Sequence, residues 1–136
     1  MLIKTDNLTH TAVLALLDEH LRSMYAASPP ESVHALDLAE LGADDVTFYT
    51  AWDGDELLGC GALQELDATH GEIKSMRTVA AHLQKGVAAA ILEHIVMEAR
   101  ARGYERLSLE TGSGGPFDAA LRFYEKHGFE YFIVTK

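Results

Sequence analysis

Cysteine is almost absent from this sequence: Cys60 stands alone among 136 residues. No intramolecular disulfide can form, which fits a reducing compartment and makes the cytoplasm the expected location. There is no apolar run of eighteen residues to span a membrane, and Met1 to Asn7 lacks the charged-then-apolar character of a leader, so neither is expected. Positive charge is scarce too, with 11 Lys and Arg against 21 Asp and Glu, for a net charge of −10. Without a basic stripe interleaved with aromatics, nucleic acid is not an expected partner. Seven histidines are present, but none sits in a short pairing with cysteine or carboxylate, and His70, His82 and His94 are twelve residues apart, so no metal site is expected. No repeat or low-complexity segment appears.

What the chain does have is apolar content, 48%, enough for one packed core, and its length predicts a single domain over residues 1–136. Charge is divided unevenly. Residues 1–72 carry 14 acids and 2 bases, and residues 73–136 carry 7 acids and 9 bases, so an anionic ligand should favour the second half. The acidity of the first half reads either as solubility or as steering of a cationic substrate.

Leu2 to Lys4 can form a short strand. From about Thr9 to Tyr25, Leu14, Leu17, Leu21 and Met24 recur at helical spacing, with the threonine as a candidate N-cap, until Ser28-Pro29-Pro30 breaks the pattern. A short helix over Val33 to Leu41 should end at Gly42 in a left-handed cap. Val46 to Trp52 is rich in β-branched and aromatic residues, and Asp53-Gly54 signals a turn into Glu56 to Leu66, predicting an antiparallel hairpin. Gly71 to Val79 reads as a further strand. Val87, Ala88, Ile91, Leu92, Ile95, Val96 and Ala99 then mark one face of a helix capped by Gly103, and a strand follows over Glu105 to Glu110, which makes a β-α-β crossover. Pro116 can open a last helix through Ala120, Leu121 and Tyr124 to Gly128, with a final strand over Phe129 to Val134.

The turn Leu83-Gln84-Lys85-Gly86-Val87-Ala88 is the strongest functional signal. A helix start presents N–H groups without intrahelical partners and partial positive charge, a natural seat for phosphate. Gly86 allows close backbone approach and Lys85 adds a cation. One glycine taken alone reads as well as the flexible start of a surface helix.

In this order, hairpin, strand, glycine-bearing turn and helix, strand, then a helix ending in Tyr124-Glu125-Lys126-His127-Gly128-Phe129, residues 46–131 resemble the GNAT superfamily of acetyl-CoA-dependent N-acetyltransferases. The family's turn is Arg/Gln-x-x-Gly-x-Gly/Ala; Gly86 and Ala88 fill its last two fixed places, while Leu83 stands at the first, with Gln84 beside it as a substitute. The Asn that the family often carries before its last helix is Phe117 here. Ser28 to Leu36 and Glu105 to Ser113 look like a group of bacterial acetyltransferases without a settled substrate. The resemblance implies an α/β (α+β) fold with a mixed, mainly antiparallel sheet of six to seven strands, about four helices and a central β-α-β crossover. Since the chain ends eight residues after Gly128, the resemblance also implies a sheet short at one edge or completed by a second copy, as in a homodimer.

The resemblance further implies that acetyl-CoA is the cosubstrate, bound by Met76, Arg77 and Thr78 on an interrupted strand and by Leu83, Gln84, Lys85, Gly86, Val87, Ala88 and Ala89 at the turn. Met76 N–H would face the acetyl carbonyl, where a fixed donor aimed at an oxyanion contributes about 3 kcal/mol. Glu72, four residues earlier, would take the proton of an amine acceptor, a small molecule or peptide, directly or through water. As an isolated residue it reads equally as an exposed acid at a strand start. Tyr124 would protonate the departing CoA thiolate; as an isolated residue it could instead be core packing. Two other functions fit part of the sequence. A non-catalytic acyl-CoA-binding module fits the departures at Leu83 and Phe117. A dinucleotide oxidoreductase would use Gly112-Ser113-Gly114-Gly115, but that stretch lacks the third glycine at the required spacing and a following acidic residue.

Overall fold

The computed structural model describes residues 1–27, 36–109 and 118–128. In chain order its elements are β1 (Leu2–Thr5), α1 (Thr11–Ala27), α2 (Leu38–Leu41), β2 (Val46–Asp53), β3 (Glu56–Asp67), β4 (His70–Thr78), α3 (Val87–Ala101), β5 (Arg106–Leu109) and α4 (Asp118–Lys126). One sheet runs in the order β1-β2-β3-β4-β5. The first three pairings are antiparallel, and β4 pairs with β5 in parallel through α3, the predicted crossover. The described sheet has five strands rather than six to seven; the strand predicted over 129–134 lies outside the described residues, as do the helix start predicted at Val33 and the proline at 116.

Two layers of side chains sandwich the sheet. On one face Val13, Leu16 and Leu17 of α1 and Leu41 of α2 pack on Phe48, Trp52, Leu57, Cys60 and Ala62. On the other, Val87, Ile91, Leu92 and Ile95 of α3 pack on Tyr49, Ala51, Leu58, Leu63 and Ile73, with Met76, Phe123 and Tyr124 joining the cluster. Each fully buried Leu or Ile contributes about 1.5–3 kcal/mol relative to exposure, which holds both helices to the sheet.

Local chemistry sets the boundaries. Gly54, φ 59°, opens the turn between β2 and β3, as the twist of a two-residue hairpin demands. Asp37 and Glu40 form a reciprocal capping box on α2. Two predicted caps differ. His10 caps α1 in place of Thr9, its Nδ1 accepting from Ala12 N–H at 3.1 Å, while Thr9 Oγ1 donates to Asn7 Oδ1. Gly42 has φ −87° and not a left-handed conformation, since its N–H closes the short helix onto Glu40 and Leu38 carbonyls without reversing the chain.

Candidate active site

The strand β4 is irregular at its centre. Its register with β3 passes from Ala62↔Lys74 to Cys60↔Arg77, so two residues, Ser75 and Met76, stand opposite the single Gly61. This is a β-bulge. Ser75 carries its distortion in a left-handed φ of 53°, uncommon for a residue with a side chain. Gly61 is what makes room: a Cβ there would lie 2.5 Å from Met76 Sδ and 2.8 Å from Ile91 Cγ2. Past the bulge, Val79 N–H donates to Leu58 O at 2.9 Å. Alternation along an extended strand then turns the Thr78 N–H and, two residues earlier, the Met76 N–H toward the edge away from β3. That edge faces β5, whose pairing with β4 in the described residues runs only from His70↔Arg106 to Ile73↔Leu109.

Tyr124 lies on α4 in the α3-side cluster that also holds Met76, and its ring meets Phe123 edge-on with centroids 5.1 Å apart. Burial pushes its phenol well above the ordinary range, so it stays protonated at neutral pH. Glu72 sits on the other face of β4 from Ile73. It is buried, not the exposed strand-start acid that the sequence alone allowed, and Oε1 pairs with Lys74 Nζ at 3.2 Å. Beside it on β5, Ser108 Oγ bonds His70 Nε2 at 2.7 Å. Glu72 and Met76 lie four residues apart along β4 and on opposite faces of the sheet, so a proton moving from near one to the other needs water between.

After β4 a single 3-10 turn at Ala80–His82 leads into the segment 83–89. Leu83 is exposed, Gln84 adopts φ 62°, and Gly86, φ 80°, is the N-cap of α3 with no side chain bonded to the helix start. A Cβ on Gly86 would meet nothing within 4 Å, so the approach to the helix start at Gly86 is open. Lys85 Nζ reaches back to His82 Nδ1 at 3.2 Å, and His82 Nε2 meets Glu56 Oε1 at 3.0 Å. Since lysine can only donate, His82 accepts at Nδ1 and carries its proton at Nε2 toward Glu56. A cavity of about 320 Å³ lined by Asp53, Glu56, His82, Lys85 and Val87 opens there, on the β3 side of the turn and away from the bulge. The side chain of Arg77 departs in the other direction, to Glu19 Oε1 and Ser23 Oγ of α1, both at 3.1 Å. What Arg77 offers a ligand at the α3 start is therefore main chain.

The structure thus gathers Met76, Tyr124 and the start of α3 on one side of the sheet and Glu72 on the other. Sequence reasoning did not find the left-handed Ser75, nor the His82 tether. A signal for the first was present, because a glycine inside a strand, here Gly61, commonly marks a bulge on the partner or a close backbone approach.

Residues 13–129 match the sequence profile described as Acetyltransferase (GNAT) family. The chain is 60% identical to the uncharacterised N-acetyltransferase YsnE of Bacillus subtilis over 96% of its own length and 87% of that protein's. It is 53% identical to the uncharacterised N-acetyltransferase YedL of Escherichia coli, over 93% of this chain and 80% of that one. Among solved structures, a GNAT family acetyltransferase from Elizabethkingia anophelis with acetyl-CoA bound superimposes with a TM-score of 0.68 at 19% identity, covering 97% of this chain and 77% of that one.

Proposed function

Because the chain belongs to the GNAT family of acetyltransferases, we propose that it transfers the acetyl group of acetyl-CoA directly to a primary amine of a small molecule or peptide, acting as one cytoplasmic domain over residues 1–136. The bulge carries this reading. A strand that turns two N–H groups outward, beyond the four residues over which its partner strand pairs with it among the described residues, is suited to hold an extended thioester arm by main-chain bonds. The start of α3 fits the pyrophosphate of the same molecule, because its amides are uncapped, Gly86 leaves the approach open and the surrounding half of the chain carries the excess of base.

When bound, acetyl-CoA supplies an acyl group already activated as a thioester. Met76 N–H donates to the carbonyl oxygen and strengthens as negative charge develops there. Thr78 N–H and the amides of Val87, Ala88 and Ala89 hold the arm and the phosphates, with Leu83, Gln84 and Lys85 shaping the turn. Glu72 accepts a proton from the acceptor's ammonium group through water, from the face of the sheet opposite Met76, and the neutral amine that this leaves attacks the thioester carbonyl. Tyr124 returns a proton to the thiolate as the carbon–sulfur bond breaks; its raised pKa keeps that proton in place until a desolvated thiolate in contact demands it.

The test is a panel of amines offered with acetyl-CoA, with release of free thiol as the readout. The wild type should release thiol with at least one amine, and Tyr124→Phe should keep its affinity for CoA in calorimetry while losing about a hundredfold in kcat. Wild-type kcat in the variant makes the tyrosine a packing residue.

A further inference from the structure

We infer that Cys60 is a positioning residue for acetyl transfer: its thiol holds the carbonyl of Ser75 and so keeps the β4 bulge in the geometry that aims the Met76 N–H into the cleft. The extra residue of a bulge drops out of the regular strand ladder, and Ser75, which has no register partner on β3, is buried, so its carbonyl needs a donor. The thiol is that donor, with Sγ 3.3 Å from Ser75 O. Cys60 itself has no exposed surface, lies one residue before the Gly61 that accommodates Met76, and pairs across the sheet with Arg77, so its backbone and its side chain grip opposite sides of the bulge. The left-handed φ of Ser75 is a conformation that a serine leaves readily unless its surroundings fix it. Burial pushes the thiol up to about 12, which keeps it a donor at every working pH and removes it as a nucleophile.

This inference rests on the reading of Met76 N–H as the oxyanion donor, and its test separates the two. Turnover is read as acetyl-CoA hydrolysis, which needs the same oxyanion donor and no amine, and the bulge is read from the amide cross-peak of Met76 in ligand-free protein. Cys60→Ala should move that peak and lower kcat about tenfold, a fraction of the 10²–10³ that a lost oxyanion donor costs, while KM for acetyl-CoA stays within about twofold. Cys60→Ser keeps a donor of nearly the same shape and should restore both. Cys60→Ala combined with Ser75→Gly should also recover turnover, since glycine holds a positive φ unaided. In the wild type, replacing the thiol proton with deuterium should shift the Ser75 carbonyl carbon, a measurement that does not require any variant to fold. A Ser75 carbon indifferent to deuteration, or a Cys60→Ala protein with the wild-type Met76 peak and kcat, overturns the inference. A wild type that binds acetyl-CoA without turning it over overturns the reaction reading instead, and the two resonances still decide whether the thiol holds the bulge.

Discussion

His20 sits at 7% exposure on the inner side of α1, above the strand that carries the site. Burial first and the Arg77 guanidinium second push its imidazole down from 6.5 to about 4, and its Nδ1 has no hydrogen-bond partner among the described residues. An unfolded chain protonates this histidine near pH 6.5 and the folded one only near 4, so below 6.5 the unfolded state binds the extra proton. The contribution is therefore fully present above pH 6.5 and is lost as the pH falls through about 4, reaching about 3 kcal/mol. Denaturant unfolding of wild type and His20→Phe across pH 7 to 4 should show a shallower acid loss in the variant. Parallel curves would mean that the imidazole is already charged in the folded protein. A sequence shows none of this, because His20 reads there as one more polar residue on a helix and its cost depends on a guanidinium 57 positions later. Ser75 is alike: nothing in Lys74-Ser75-Met76 marks a left-handed residue, and only Gly61, on another strand, hints at it.

At the scale of elements, the start of α3 concentrates the consequences of one glycine. Gly86 has φ 80° and open space where a Cβ would stand, so a side chain there meets conformational cost and its Cβ no clash in the free protein. With the pyrophosphate seated on the first-turn amides, the same Cβ intrudes on the ligand. Gly86→Val should therefore weaken CoA at least tenfold, about 1.4 kcal/mol, with Gly86→Ala weakening it less. Calorimetry that finds the wild-type affinity in both places the phosphates elsewhere. Elements of this kind were the most readable part of the chain. The period of α3, the Asp53-Gly54 turn and the left-handed Gly103 stand where the residues predict, because each depends on neighbours within a few positions. The cap of α1 and the conformation of Gly42 at the end of α2 differ from expectation, since local hydrogen bonds of His10 Nδ1 and of the Gly42 N–H decide them.

For the whole molecule, the acidic first half is not one surface. Asp53, Asp55 and Glu56 gather at the hairpin tip and Asp44, Asp45, Glu65 and Asp67 at the opposite end of the sheet, while Asp18 and Glu19 lie on α1. Glu65 accepts from Tyr104 Oη and Glu19 from Arg77, so part of this charge is occupied in holding elements together. The topology carries a different consequence. β2 to β4 form a meander of sequence neighbours, whereas β5 joins the sheet only after α3, its pairing with β4 running among the described residues from His70↔Arg106 to Ile73↔Leu109. Local pairings form early on a folding route and distant parallel ones late. The β4 edge beside Met76 thus lies on the seam between an early-folding part and a late one, and on the proposed reading a ligand bridging Met76 to the start of α3 would act as a clasp across it. Hydrogen exchange should show CoA slowing the amides of Leu107 and Leu109 more than those of Tyr49 and Leu63; equal slowing in both would mean that the sheet opens only as a whole. Chains short of acetyl-CoA would then come apart first at β5, so the supply of the acetyl donor would govern how long the protein survives as well as how fast it works.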